Sequence, residues 1–495
     1  MQVRRPDPQT DVSQTWPPSG RFADLARGAA ISQTWPRNGR FTDLAPAWRI
    51  LAAMRTRAVA AALLVAVVSL VYGVRGAAQA PQAPAYRTAA IEAAKWIRTT
   101  RVATLFGYAW PADPKDPKTI STALYSGSPG VVLFLIELHQ ATGDPAYLDD
   151  ARRGSDELVT KVPSESANGL YEGVAGLGFT LGETWRATKD EKYRKAAIAA
   201  VRLLNERAAP VGNGVQWSNT TDIISGTAGI GLFLLYADET LHDPTARALA
   251  VRAGDRLLAQ GQADKGGKKW AMDPASPRLM PNFSHGTAGI SYFLATLYKA
   301  THEQRFLDGA LAGAKYLQAI AKTEGDICLV QHNQPDGLDL YYLGWCHGPA
   351  GTARLFYQLA QVTGDKSWMA WVNKAANGIL TSGIPEQRTP GFWNNVSQCC
   401  GSAGVAQFML DLYGVTKDPK HLAFADKMTA DLLARATRDV NGMRWVQAEH
   451  RVRPELLIAQ TGYMQGAAGI GMWLLRMDGQ QRGRAPFIRF PDSPW

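Results

Sequence analysis

Seven Gly-x-x-Gly segments recur along this chain in a single frame: GSPG at 127–130, GVAG at 173–176, GTAG at 226–229, GTAG at 286–289, GPAG at 348–351, GSAG at 401–404 and GAAG at 466–469. The third residue is always Ala or Pro, and each segment opens an apolar run such as VVLFLIEL, IGLFLLYA or VAQFMLDLY. One such segment carries little information. Seven in one frame define a repeat, and a repeat dictates the fold. An acidic residue keeps the same time: Asp144, Asp190, Asp243, Glu303, Asp365 and Asp418 each lie 17 residues after the first glycine of their unit. Three of them precede Pro, and Asp followed by Pro suits the N-cap and first position of a helix. Each unit therefore reads as an apolar helix, a short turn, a capped second helix and a variable loop. The first helices are apolar nearly all round, as buried helices are. The second are amphipathic, as in KYRKAAIAAVRLLNE at 192–206, and the first of that kind precedes all the repeats, in YRTAAIEAAKWIRTT at 86–100.

Seven inner and seven outer helices predict an all-α, double-layered α/α toroid over residues 86–480, followed by a C-terminal tail at 481–495. Successive first glycines are 46, 53, 60, 62, 53 and 65 residues apart. The helices are constant in length, so the variation falls in the loops that lead into each Gly-x-x-Gly. Those loops gather at one end of the ring, and function concentrates on such loops.

Upstream of the repeats, the formal net charge of +10 is unevenly spread. Residues 1–80 hold ten Lys and Arg against four Asp and Glu, and the other 415 residues hold 43 against 39. No basic face argues for nucleic acid. Residues 54–80 read as a secretory signal peptide: Arg55 and Arg57, an apolar stretch from Ala58 to Val71, then Ala78-Gln79-Ala80 as a cleavage site. This predicts export. The bland alternative is an uncleaved membrane anchor. Residues 1–53 carry a duplicated VSQTWPPSGRFADLA/ISQTWPRNGRFTDLA segment, expected to be disordered, or untranslated if Met54 is the start. The oligomeric state is not legible.

The frame also places chemistry. Asp222 stands four residues before the first glycine of unit three, and His285 one before that of unit four. Cys346 and His347 stand two and one before in unit five, as do Cys399 and Cys400 in unit six. Adjacent units and a shared axial level predict that these groups meet at one rim of the cavity. The chain has only four cysteines, and the frame brings three together, leaving Cys328 outside. Three thiolates at a helix-start level fit a zinc site with an open fourth position. The same spacing allows a disulfide from Cys346 to Cys399 or Cys400, or inert core thiols.

These motifs resemble the lanthionine synthetase C-like proteins, the cyclases of lanthipeptide biosynthesis and their relatives, over about residues 86–480. GWCHGPAG is similar to the family's Trp-Cys-x-Gly motif and QCCGSAG to its Cys-His-Gly or Cys-Cys-Gly motif. SHGTAG and DIISGTAG resemble the segments that carry its active-site His and Asp. The resemblance implies a double-layered α-toroid with zinc held by Cys346, Cys399 and Cys400. It implies thioether formation: a substrate thiol, held as thiolate, adds to dehydroalanine or dehydrobutyrine, and His285 protonates the enolate while Asp222 orients the thiol or His285. His347 joins them as a candidate catalytic group; it stands where many bacterial cyclases have Tyr, and Tyr342 stands where they have Arg. The implied partner is a peptide or small-thiol substrate in the bowl of the toroid.

Two other functions fit a toroid. A carbohydrate-active enzyme needs two carboxylates across a sugar, with Glu172 and Asp222 as candidates and Trp345, Trp393 and Trp445 as stacking surfaces. A non-catalytic module could bind peptides in the bowl around a structural zinc.

Overall fold

A computed structural model of the chain describes residues 83–495 apart from Pro277. The duplicated segment at 1–53 and the signal segment at 54–80 lie outside the described residues. Among the described residues no helix is long and apolar enough to cross a membrane.

Among the described residues, fourteen α-helices alternate between two layers. The inner layer is α2 (Ser128–Thr142), α4 (Val174–Thr188), α6 (Thr227–Tyr236), α8 (Thr287–Thr301), α10 (Pro349–Thr363), α12 (Ser402–Thr416) and α14 (Ala467–Arg482). The outer layer is α1 (Ala83–Thr99), α3 (Pro145–Lys161), α5 (Glu191–Arg207), α7 (Ala246–Gln260), α9 (Gln304–Ile320), α11 (Ser367–Leu380) and α13 (Pro419–Ala434). Each inner helix packs on the next, and α14 packs on both α1 and α2, so the ring closes. The expected all-α double-layered toroid is what the sequence folds into. Its hydrophobicity follows the layers. Val131–Ile136 in α2 have no exposed surface, whereas α5 buries only Tyr193, Ala196, Ala197, Ala200, Val201 and Leu204, the stripe that a 3.6-residue period gives.

The acidic landmark caps outer helices less uniformly than its spacing suggests. Asp144, Asp190 and Asp418 are N-caps whose carboxylates accept from the amide two residues on. Asp243 and Asp365 accept in the same way from Thr245 and Ser367, but their helices start later. Glu303 makes no capping bond, because its longer side chain pairs with Arg305 instead. The loops hold more structure than the sequence suggested: small antiparallel hairpins occupy 102–109, 209–216, 262–269 and 437–444.

The decisive feature is at the rim where the inner helices begin. The residue two places before each Gly-x-x-Gly bonds through its main chain to its counterpart in the next unit, except that in unit three Ile224 accepts while its neighbour Ile223 donates onward. Tyr125 N–H donates to Tyr171 O (2.9 Å), Tyr171 to Ile224 (2.9 Å), Ile223 to Ser284 (3.2 Å) and Ser284 to Cys346 (2.9 Å). Cys346 donates to Cys399 (3.2 Å), Cys399 to Met464 (3.0 Å), and Met464 back to Tyr125 (2.8 Å). This closed circle of seven bonds fixes the axial height of every unit. The second glycine of each segment makes it fit. A Cβ on Gly351 would lie 1.9 Å from Trp345 O of its own turn and 2.7 Å from Phe283 Cβ of the preceding unit. The repeated glycines thus admit the three-residue-upstream side chain of the neighbouring unit, a more specific role than sparing bulk between helix ends.

Gly351→Ala should therefore lower stability by about 3 kcal/mol, the cost of overpacking against fixed backbone. Gly414→Ala, at a helical glycine with nothing within 4 Å of a Cβ, should be neutral or stabilising by up to about 1 kcal/mol. Urea denaturation of both variants checks the pair. Equal effects would contradict the packing account.

Candidate metal and thiol site

Residues two and one before each Gly-x-x-Gly ride on the hydrogen-bonded circle, so their side chains share one level. Four consecutive units contribute. The Sγ atoms of Cys346, Cys399 and Cys400 all lie within 4.8 Å of one another. Cys346 Sγ is 3.0 Å from Cys400 Sγ, which is 3.3 Å from Cys399 Sγ. A disulfide needs about 2.05 Å, and all four cysteines are free thiols. Backbone approach makes the cluster possible: Gly344 sits so close that a Cβ there would be 2.7 Å from Cys400 Cα.

Burial raises the proton affinity of all these sulfurs. At Cys399 this is more than offset by donation from the Cys346 and Cys400 thiols and the Tyr125 hydroxyl, so its pKa falls well below the ordinary value. Cys346 and Cys400 are pushed up, Cys346 by burial and then by Cys399, Cys400 by its contacts with the other two sulfurs and then by burial. Of the three sulfurs, Cys399 is thus the one whose thiolate form the cluster favours. The donor set fits a thiophilic cation such as zinc. Thiolates about 2.3 Å from a tetrahedral zinc stand about 3.8 Å apart, so the sulfurs need to part by less than about 1 Å per edge. Cys328 is elsewhere, buried at 2% exposure with its thiol pushed up to about 12 by burial.

Facing the sulfurs is a His–Asp pair. Asp222 has no exposed surface. Its Oδ1 accepts from the amides of Ser225 (2.9 Å) and Gly226 (2.8 Å), and its Oδ2 is 2.6 Å from His285 Nδ1. Burial lowers the pKa of His285, but the hydrogen bond and charge of Asp222 more than compensate, and the net shift is upward from 6.5. The His347 ring lies 5.4 Å from that of His285. Burial drives its pKa well below 6.5, and its Nδ1 has no hydrogen-bond partner among the described residues. Burial thus favours the neutral form of His347, while Asp222 favours the protonated form of His285.

Sequence reasoning missed three neighbours. His332 stacks 4.5 Å from His347 and 4.3 Å from Tyr342, its pKa pushed down to about 4, mostly by burial. It comes from a loop residue with no fixed place in the repeat. Arg451, from the loop before α14, puts Nε 3.3 Å from Tyr342 Oη, so a guanidinium stands beside the tyrosine at the position where an arginine was expected. Tyr125 donates to the cluster and accepts from Gln465 Nε2 at 2.8 Å. Its position two before the first Gly-x-x-Gly was legible.

The groups named for a carbohydrate site all have partners of their own here. Both oxygens of Asp222 are engaged, and Glu172 accepts from Ser225 Oγ at 2.8 Å. Trp345, Trp393 and Trp445 are all buried, with indole N–H groups donating to Asp492, Ala448 and Leu432, so none offers a face for a sugar.

A closed α/α toroid with three thiols and a His–Asp pair at one rim defines a class: toroids that carry a buried cysteine cluster where their inner helices begin. The sequence comparison supplies the family. Residues 119–490 match the lanthionine synthetase C-like protein family, and the chain belongs to it. Glutathione S-transferase LANCL1 of Danio rerio is 22% identical over 319 residues, covering 63% of this chain and 73% of that protein. The structure of nisin cyclase superposes with a TM-score of 0.59 at 17% identity, covering 82% of this chain and 96% of that one. An α-1,6-mannanase of Salegentibacter sp. gives a TM-score of 0.47 at 14% identity, over 80% and 99%.

The raised pKa of His285 carries a linkage prediction. Stability from its pairing with Asp222 is fully present below the ordinary value of 6.5 and is lost as pH rises through the higher folded-state value. Asp222→Asn should cost about 2 kcal/mol below pH 6, as expected for a hydrogen bond to a charged group, and the deficit should shrink on raising the pH. A deficit that grows with pH in denaturation curves would contradict the assignment.

Proposed function

We propose that this protein is a zinc-dependent thiol-addition enzyme that joins a thiol to a dehydroamino acid, forming a thioether. The observation that carries the reading is the convergence of Cys346, Cys399 and Cys400 on one point facing the His285–Asp222 pair. Family membership and the nisin-cyclase fold support it. The three sulfurs would hold the zinc and leave one position for a substrate thiol, which the metal keeps deprotonated at neutral pH.

The chain's own groups supply the rest. As the sulfur–carbon bond forms at Cβ of the dehydroamino acid, the double-bond pair moves to Cα and the carbonyl oxygen. His285 delivers a proton to Cα from Nε2. Asp222 holds Nδ1, fixing the tautomer and the ring plane, and stabilises the imidazolium before transfer. His347, neutral, lines the wall. Tyr125 donates to Cys399 and orients that sulfur. Two relatives bear on the nucleophile: one is named for cyclising nisin, the other for transferring glutathione. Both names are compatible with the same step, so the electrophile is the common element and the thiol is either a peptide cysteine or a small thiol. We also propose that residues 54–80 direct export, with the mature chain starting near Pro81, which N-terminal sequencing of the secreted protein checks; an intact segment recovered with membranes would mean an anchor.

Two expectations test the central reading. Purified protein should hold one zinc per chain. Cys346→Ala, Cys399→Ala and Cys400→Ala should each abolish stoichiometric metal, because affinity follows ligand number, while Cys328→Ala should not. Full occupancy in Cys400→Ala refutes the assignment.

His285→Ala should keep its zinc and fold but lose about 100- to 10,000-fold in rate, the usual worth of a general acid. The assay uses a dehydroalanine peptide with a cysteine in cis or glutathione in trans. A wild-type protein that binds zinc yet never exceeds the uncatalysed rate with either donor overturns the enzyme reading in favour of a binding module.

A further inference from the structure

The last ten residues do not trail off the ring. They run into it. After α14 ends at the left-handed Gly483, Glu137 of α2 pairs with Arg484 at 2.8 Å and accepts the amides of Phe487 and Ile488, each at 2.9 Å. Phe490 stacks on Tyr463 at 4.5 Å and packs against Phe179 of α4. Trp495 stacks on Tyr357 of α10 at 3.9 Å. Between these anchors lies Asp492, 1% exposed.

A carboxylate is not buried at a chain terminus without a specific partner. Arg354 of α10 bonds to both the Asp492 carboxylate (2.9 Å) and its main-chain carbonyl (2.8 Å). The same Oδ2 accepts the indole N–H of Trp345 at 3.0 Å. Trp345 precedes Cys346 directly. Its ring also meets Phe283, 5.7 Å away, which stands two residues before His285. Trp345 and Phe283 occupy the position three before the Gly-x-x-Gly, beneath the level that carries the sulfurs and His285. Arg354 lies over the Phe283 ring at 5.6 Å.

We propose that the segment Pro486–Trp495 is an internal strap that positions Cys346 from the far side of the ring, with Asp492 as the positioning residue acting through Trp345. The strap lies against the inner helices α2, α4 and α10 and, through Trp345 and Arg354, backs the turns of two of the four contributing units. It never touches substrate. Its effect on metal rests on the zinc reading above; its effect on the geometry of the 343–348 turn does not. A group behind a metal ligand typically changes affinity about 10- to 100-fold, and one acting through an intervening indole belongs at the lower end.

The test is a double-mutant cycle on the full chain between Asp492→Ala and Trp345→Phe, which keeps an aromatic ring but removes the N–H. Two readouts are taken: amide hydrogen exchange of residues 343–348, and zinc affinity by chelator competition. Each single variant should speed exchange in 343–348 while leaving 193–204 in α5 unchanged, and should weaken zinc about 10-fold. The double variant should be no worse than the worse single, because both break one contact. Asp492→Asn, which keeps an acceptor for the indole, should recover most of the wild-type protection and keeps the comparison available if Asp492→Ala does not fold. Unchanged exchange in Asp492→Ala, or strictly additive effects in the double variant, overturns the strap. A wild-type protein that takes up no zinc refutes the metal centre alone, and the exchange measurement still decides the strap.

Discussion

The candidate site hangs on the circle of seven main-chain hydrogen bonds that joins the turns just before each Gly-x-x-Gly, through the residue two before the glycine in every unit and through Ile224 and Ile223 together in unit three. A toroid built from helix pairs has no intrinsic reason to hold its units at one height, since helices slide along ridges and grooves with little penalty. The circle removes that freedom. Each bond is worth about 1 kcal/mol net, and breaking one strands a buried donor and acceptor at a cost of about 1–3 kcal/mol more. The circle must close over all seven units, so a shift in one is resisted by its two neighbours. Side chains one and two residues upstream of the glycines then become a ring of defined positions, and any chemistry written there is presented together.

The site uses that ring economically. The three clustered thiols come from units five and six, the imidazole of His285 from unit four, and its carboxylate partner from unit three. The environment then assigns the protonation states. His285 and His347 lie 5.4 Å apart, yet Asp222 raises one while burial lowers the other. Titratable groups pushed apart in this way are what an acid–base assignment needs, and the proposed reaction uses His285 as the acid. Among the sulfurs, donation from two thiols and a tyrosine favours the thiolate form at Cys399.

The frame made the fold legible, because a helix pair of fixed length forces its landmarks to recur. It made Asp222, His285, His347 and the three cysteines legible for the same reason: each is tied to a glycine that cannot move. Tyr125 stands in that frame too, but a tyrosine among apolar neighbours has no signature of its own. His332 and Arg451 were not legible, because they arrive from the loops before units five and seven, whose 62- and 65-residue spacings follow no period. Asp492 was hidden for a different reason. Ten residues after α14 ends at Arg482, nothing in PFIRFPDSPW marks a carboxylate destined for burial against the inner helices. Only its partners, Arg354 and Trp345, reveal the destination. The acidic landmark shows the converse: the spacing of Glu303 matched that of its counterparts, but its extra methylene took the carboxylate to Arg305 rather than to the helix start.

The central claim is that three sulfurs from two neighbouring units share one zinc and leave a position for a thiol. X-ray absorption at the zinc edge of the purified protein tests it most directly. The account predicts three sulfur scatterers at about 2.3 Å and one lighter atom at about 2.0 Å, with the lighter atom replaced by a fourth sulfur when a thiol substrate is added. A spectrum with fewer than three sulfurs, or a metal-free protein in which Cys346 is disulfide-bonded to Cys399 or Cys400, would contradict it.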